Sequence, residues 1–261
     1  MLLSLKNKNA LVGGASAGIG LAAAHELALL GANVFLLARS DAKLIKAMHT
    51  LDTSQGQRHD YVVADYSDGL TLEARAKALV EQHNIHILVN NTGGPPAGPI
   101  TEAMTKHFSH SYHNHLICNQ ILAQAVLPGM KAEGYGRIIN IISTSVKEPL
   151  DNLGVSNTTR WAVAGWAKTW ANEVGVFGIT VNNVLPGYTR TSRLEDIIEK
   201  KVTATQSDRE SVENQFKSHV PLRRFAEPEE VAAAVAFLAS PAAAYINGIN
   251  LPVDGGRTRS L

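Results

Sequence analysis

Short runs of β-branched and aliphatic residues recur along this chain, separated by longer segments of helical period, and that alternation constrains the fold more than any other feature. The runs are Ala10–Val12, Val34–Leu37, Tyr61–Val63, Ile85–Val89, Arg137–Ile142 and Thr180–Val184. A strand, helix, strand rhythm builds βαβ units, and successive units build a parallel sheet. Ile87-Leu88-Val89 is apolar at every position rather than at alternate ones, as expected of a strand covered by helices on both faces. The pattern predicts an α/β chain, a doubly wound parallel sheet of about seven strands with ligands at the carboxyl ends of the strands. No internal repeat, low-complexity tract or Pro/Gly/Ser linker divides residues 1–261, which read as a single domain.

One segment departs from the rhythm. Residues 188–219 hold 12 charged side chains in 32 positions, too many for a core, and read as a helical flap over the sheet's edge and over a substrate. Across the whole chain, 24 Lys and Arg face 23 Asp and Glu, leaving no field of one sign with which to hold nucleic acid or an anionic membrane. The longest apolar stretches, such as Leu27–Ala38, fall short of the ~18 residues that span a bilayer. Met1–Lys8 is too short and too basic for a secretory core, and Arg259-Ser260-Leu261 is only a degenerate peroxisomal match. Cys118, the single cysteine, excludes an internal disulfide and a cysteine-rich zinc site. These features predict a cytoplasmic protein with no nucleic-acid and no membrane partner.

Gly14-Ala15-Ser16-Ala17-Gly18-Ile19-Gly20 follows the first strand and opens a helix. Glycines there let the backbone approach a pyrophosphate, and the amides and dipole of the helix start favour an anion, so Gly14, Ser16, Gly18, Ile19 and Gly20 are candidate dinucleotide contacts. The end of the second strand selects the dinucleotide. Arg39 and Ser40 stand where an acid would bind a ribose 2′-hydroxyl, and the Arg39 fork suits a 2′-phosphate, so NADP(H) is expected over NAD(H). Asp41, 21 residues after Gly20, is the competing ribose acid; the reading preferred here is that it caps, alone or with Ser40, a helix beginning near Ala42.

Further motifs lie at the expected strand ends. Asp65 follows the third strand and Asn90-Asn91-Thr92-Gly93 the fourth; then come Leu127-Pro128-Gly129-Met130, the segment Gly136–Ser143, Pro186-Gly187-Tyr188-Thr189-Arg190-Thr191, Phe225–Val231 and Val253-Asp254-Gly255-Gly256. Together these residues resemble the short-chain dehydrogenase/reductase family nearly end to end, in the branch that looks like 3-oxoacyl-acyl-carrier-protein reductases. The resemblance implies a Rossmann fold, adenine beside Asp65, further cofactor contacts from Asn91, Gly93, Arg160, Pro186, Gly187 and Thr191, and a homo-oligomer, with a tetramer favoured. The Trp161, Trp166 and Trp170 stripe suits the family's subunit contact, or ordinary core.

The resemblance also implies a catalytic set in which a Tyr protonates the carbonyl oxygen, a Lys four residues later holds the nicotinamide ribose, a Ser polarises the carbonyl and an Asn organises a proton relay. Aligned without gaps on the segment beginning Arg160-Trp161-Ala162, the Tyr position holds Ser156 and the Lys position Arg160. Ser143 keeps the Ser, and the Asn position falls on His115, beside Asn114. Every Tyr of the chain lacks a Lys four residues on. An alkyl hydroxyl is a far weaker acid than a phenol of pKa ~10, so the proton donor is expected to be atypical. Three substitutes stay open. Tyr188 is either a donor or an aromatic lining residue; His115, with a reference pKa of ~6.5, is either a relay or a structural histidine; the third is a water held by Ser143 and Ser156.

The expected function is NADP(H)-dependent reduction of a ketone or 3-oxoacyl (thio)ester to the alcohol, acting on a small-molecule carbonyl or acyl-thioester substrate. The alternative is a catalytically weak or inactive dinucleotide-binding sensor or oligomer partner. His107, His110, His113 and His115 read as a solvated or interface cluster rather than a metal site, since no carboxylate or cysteine completes a ligand set. Arg190, Arg193, Lys200 and Lys201 are interleaved with Glu195, Asp196 and Glu199 and read as a solvated helical face.

Overall fold

In the computed structural model, which describes residues 1–260, the aliphatic runs become β1 (Asn9–Gly13), β2 (Asn33–Ala38), β3 (Asp60–Val63), β4 (Ile87–Asn90), β5 (Gly136–Ile141) and β6 (Ile179–Pro186). A seventh strand, β7 (Asn250–Val253), completes one sheet in the order β3-β2-β1-β4-β5-β6-β7, with every pair parallel. The helices are α1 (Gly18–Leu29), α2 (Asp41–Met48), α3 (Gly69–Gln82), α4 (Thr105–Tyr112), α5 (Cys118–Glu133), α6 (Gly154–Val174), α7 (Ser192–Thr205), α8 (Arg209–Ser218) and α9 (Pro228–Ala239).

Strand residues pointing to opposite faces enter two separate cores. Val12, Val34, Leu36 and Val89 pack with Leu27 of α1, Leu44 of α2 and Val235 of α9; Leu11, Phe35, Leu37 and Leu88 pack with Leu72 of α3, Leu122 of α5 and Ala167 of α6. Both cores exclude water, and each fully buried leucine contributes about 1.5–3 kcal/mol. The chain runs outward from β1 to β3, then crosses back to β4 on the other side of β1. Helices leave the sheet in opposite senses at that point, opening a crevice above the carboxyl ends of β1 and β4.

A row of asparagines crosses the sheet near those ends. Asn90, Asn140, Asn183 and Asn250 are register partners on β4, β5, β6 and β7, and their amides hydrogen-bond in sequence at 2.9, 2.8 and 2.8 Å. Amides bonded in a chain specify one register, because a slip breaks every link between them.

The charged segment forms α7 and α8, held together by Arg209, which pairs with Glu195, Glu199 and Glu213. The expected cap of the second helix is not formed. α2 already begins at Asp41, Ser40 stands at the cap position without a side-chain bond, and the Asp41 carboxylate instead accepts from the Tyr61 hydroxyl, which raises the pKa of that phenol. Among the described residues no helix is long and apolar enough to cross a membrane. Leu261, the last residue of the terminal tripeptide, lies outside them.

Candidate active site

The glycine loop joins β1 to α1 and is held in shape by Asn91. Gly14 adopts φ +57°, where a side chain is strained, and a Cβ on Gly20 would stand 2.4 Å from the Gly14 carbonyl oxygen and 2.7 Å from Asn91 Nδ2. Asn91 Nδ2 in turn donates to the Gly13 carbonyl at 3.1 Å. No side chain caps the start of α1, so its first amides are free to bind an anion. A loop whose cradle only glycine leaves open, beneath uncapped amides, fits a dinucleotide pyrophosphate. Ser16 belongs to this turn and Ile19 to the first turn of α1, and Thr191, which precedes α7, lies 3.3 Å from the Cβ position of Gly18. The start of the flap therefore touches the loop.

Arg39 extends into solvent from the end of β2, with 77% of its side chain exposed and Asp65 at 4.0 Å as its nearest acidic partner. The pKa of Asp65 lies below the usual carboxylate value, chiefly because the Ser67 amide hydrogen-bonds it, then through the Ser67 side chain and, after that, Arg39. A guanidinium so exposed has donors available for a phosphate.

Ser143 ends β5. Its Oγ accepts from the Ser145 amide at 3.0 Å, which fixes the oxygen and leaves the hydroxyl proton to be donated elsewhere. The turn after it is pinned to α6 by Trp161, whose indole donates to the Ser145 carbonyl at 2.9 Å. Arg160, one turn after Ser156 on α6, is 8% exposed and donates through Nη1 to the Ile141 carbonyl at 3.0 Å, two residues before Ser143. Burial and then the neighbouring Arg193 guanidinium lower its pKa to about 10, and its Nε is buried without a partner. Ser156 is half-buried on the same helix.

Between α4 and α5 the helix widens into one π-helical turn, His113–Ile117. The extra residue turns His115 inward, where it is 3% exposed, while Asn114 faces His110 at 3.0 Å. Of the two residues considered for the relay position His115 is the more deeply buried, while Asn114 is half-buried and its Oδ1 is buried without a partner. Burial, followed by Arg160, holds the His115 imidazole well below its usual pKa, opposed by its hydrogen bond to the Gly93 carbonyl. Neutral His115 in the fold faces an unfolded chain that protonates near pH ~6.5, so stability is full above that pH and falls below it, by at most about 1.4 kcal/mol per pH unit. Thermal unfolding followed from pH 7.5 to 5.5 is expected to show this loss, with a smaller slope for His115→Asn; equal slopes would assign the loss to other groups.

Tyr188 is placed elsewhere. Its ring packs edge-on against Phe216 at 5.0 Å beneath α8, carries Arg257 on its face at 4.6 Å, and lines a pocket of about 280 Å³ with Val220, Leu222 and Pro252. None of Ser143, Ser156, Arg160 or His115 lines that pocket. Pro186 is the last residue of β6, and Gly187 joins it to Tyr188. The tryptophan stripe also divides: Trp166 and Trp170 both donate to Gln120 Oε1, at 2.7 and 3.0 Å, whereas Trp161 is half exposed. Among the described residues no three His, Cys, Asp or Glu side chains are placed to hold a metal ion.

A family model described as enoyl-(acyl carrier protein) reductase matches residues 14–258. The chain belongs to the short-chain dehydrogenase/reductase family. It is 35% identical over 258 residues to a 3-oxoacyl-[acyl-carrier-protein] reductase of Vibrio cholerae, covering 97% of this chain and 98% of that one. To a monensin polyketide synthase putative ketoacyl reductase of Streptomyces virginiae it is 34% identical over 250 residues, 95% of each. Among solved structures, L-sorbose reductase from Gluconobacter frateurii, complexed with NADPH and L-sorbose, superposes with a TM-score of 0.94 at 32% identity and full coverage of both chains. This chain is accordingly an NAD(P)-dependent oxidoreductase of the 3-oxoacyl-acyl-carrier-protein reductase-like branch.

Within that family fold, one cation read from sequence as solvated faces inward. Arg193, in the first turn of α7, reaches back to donate through Nη2 to the Pro95 carbonyl at 2.6 Å. Its nitrogen and Nη2 of Arg160 stand 3.8 and 3.9 Å from the Cβ position of Gly94. Arg190 pairs with Glu227 at 3.0 Å and Lys201 lies over the Phe216 ring, so neither shares this placement. Interleaved charge signals an exposed helix on average; it carries no information about the one position that meets the β4 loop.

Proposed function

We propose that the chain is an NADP(H)-dependent reductase that converts a ketone or 3-oxoacyl (thio)ester to the alcohol. The observation that carries this is Ser143, whose oxygen is fixed by the Ser145 amide and whose proton is free, just beyond the carboxyl end of β5 and two residues after the Ile141 carbonyl that buried Arg160 bonds. The bound dinucleotide supplies a hydride to the carbonyl carbon. As the C=O π pair moves to oxygen, Ser143 donates a hydrogen bond to the growing charge, and Arg160 adds fixed positive potential and holds the nicotinamide ribose. The oxygen gains its proton by a relay. Neutral His115, buried beside Arg160, passes a proton rather than storing one, and Ser156 completes the path through solvent. Tyr188 serves as an aromatic wall under the flap.

Gly14, Ser16, Gly18, Ile19 and Gly20 hold the pyrophosphate, Arg39 and Ser40 the 2′-phosphate, and Asp65 the adenine. Asn91, Gly93, Pro186, Gly187 and Thr191 bound the nicotinamide half. Arg39→Asp is expected to weaken NADPH about tenfold to a hundredfold and to bring NADH to parity or better, the loss of one charge-assisted contact to phosphate. Fluorescence titration with both cofactors measures this, and unchanged NADPH affinity would remove Arg39 from the site. The chain is taken as one domain, with α7 and α8 as its substrate flap. The groove of about 480 Å³ between α4 and α6, lined by Phe108, Tyr112 and Ile117, is the face on which a homotetramer assembles.

The test is NADPH titration of pure protein followed by turnover on a short 3-oxoacyl thioester and a panel of ketones. Turnover that depends on Ser143 supports a reductase. Tight binding without turnover across the panel supports the alternative of a dinucleotide-binding sensor.

A further inference from the structure

Two guanidinium groups from distant parts of the chain converge over the loop that follows β4. Arg160 comes from α6 and Arg193 from the first turn of the flap helix α7, and both Nη2 atoms stand at van der Waals distance from one point above Gly94. Arg160 is 92% buried by its 8% exposure, and its Nε has no partner. Each guanidinium spends one nitrogen on a backbone carbonyl, Ile141 for Arg160 and Pro95 for Arg193. Among the described residues neither forms an ion pair; Arg209, Arg224 and Arg190, on or after the same flap, all do.

Two like charges drawn together without a carboxylate between them repel, and burial removes the water that would screen them. Such a pair is stabilised by an anion that both can reach, and planar forks in that arrangement suit the two oxygens of a carboxylate. His115, the third titratable group against Arg160, is held neutral and contributes neither charge nor counter-charge.

We infer that Arg160 and Arg193 form a carboxylate-binding subsite, and that the substrate is a ketone bearing a carboxylate, an oxo acid rather than a neutral ketone. This rests on the reductase reading, because it places the subsite beside Ser143 in the same crevice. The oxo acid's carboxylate lies over Gly94 and its ketone oxygen meets Ser143. Arg193 already ties α7 to the β4 loop through the Pro95 carbonyl, so the subsite stands formed before the anion arrives.

The test uses the protein with NADPH and has a readout independent of turnover. Malonate, added to the NADPH complex, is expected to change cofactor fluorescence at millimolar concentration, whereas malonamide does not. Arg193→Gln is expected to weaken malonate at least about tenfold with NADPH affinity retained, and Arg193→Lys less, since it keeps the charge but not the fork. In steady state acetoacetate is expected to be preferred over methyl acetoacetate, with that preference collapsing in Arg193→Gln. Thermal unfolding of each variant verifies that it is folded. No malonate effect together with equal kinetics for acid and ester would overturn the subsite. So would an Arg193→Gln that weakens NADPH instead of malonate, which would assign the pair to the cofactor's phosphates. Malonate binding without reduction of any carbonyl would sustain the subsite and sink the reductase reading.

Discussion

Replacing Ser143 with alanine is expected to leave NADPH affinity within about twofold of the parent and to lower turnover by about two to three orders of magnitude, the cost of removing one preorganised donor from a developing oxyanion. The only hydrogen bond of the Ser143 side chain among the described residues is the one it accepts from the Ser145 amide, and its carbonyl bond from the Val146 amide survives the substitution. The neighbouring turn stays anchored because Trp161 holds the Ser145 carbonyl from α6. Binding and chemistry therefore separate in this variant. Fluorescence titration and single-turnover oxidation of NADPH measure the two. A variant that keeps parental turnover would show that Arg160 alone polarises the carbonyl, and one that loses NADPH in proportion would show that Ser143 shapes the cofactor site.

Gly20→Ala carries the other large effect and reverses that pattern, losing binding first. The added Cβ would lie 2.4 Å from the Gly14 carbonyl oxygen, 2.7 Å from Asn91 Nδ2 and 2.9 Å from the Gly13 carbonyl oxygen, none of which is the end of a flexible side chain free to swing away. Asn91 is itself bonded to Gly13, so clamp, loop and helix start must shift together. Overpacking of this kind costs about 1–3 kcal/mol. It also displaces the α1 amides from the phosphate position, so NADPH affinity is expected to fall more than about a hundredfold. Thermal unfolding with and without NADPH measures both effects; a parental melting temperature with full NADPH protection would mean that the loop does not cradle the cofactor.

Where sequence and tertiary structure part company follows from the range of the interactions involved. Strand positions were legible because burial on both faces leaves continuous aliphatic runs, a signal contained in consecutive residues. The glycine loop and Arg39 were legible because a parallel sheet brings strand ends together whatever the side chains, and Ser143 lay at a spacing from Ser156 that the family resemblance supplied. The asparagine ladder was not. Asn90, Asn140, Asn183 and Asn250 are separated by tens of residues and become neighbours only through strand register.

His115 and Asn114 share a single π-helical turn, which leaves no mark in a helical pattern and which buries His115 while Asn114 stays half-buried against His110. Asp41 read as a cap on local grounds, yet the helix starts at that residue and its carboxylate meets Tyr61 from a neighbouring strand. Tyr188 followed a turn that suggested the substrate side, and packing against Phe216 and Phe225 drew it under the flap instead. The clearest division concerns Arg193. By itself the sequence determined a βαβ chain, a glycine turn after the first strand, a basic strand end and a charged flap, all consequences of short-range pattern and composition. Only the tertiary structure decided that one arginine of that flap crosses to the loop after β4 and meets buried Arg160 there, because the contact joins α6, α7 and β4 through geometry that no local stretch of residues encodes.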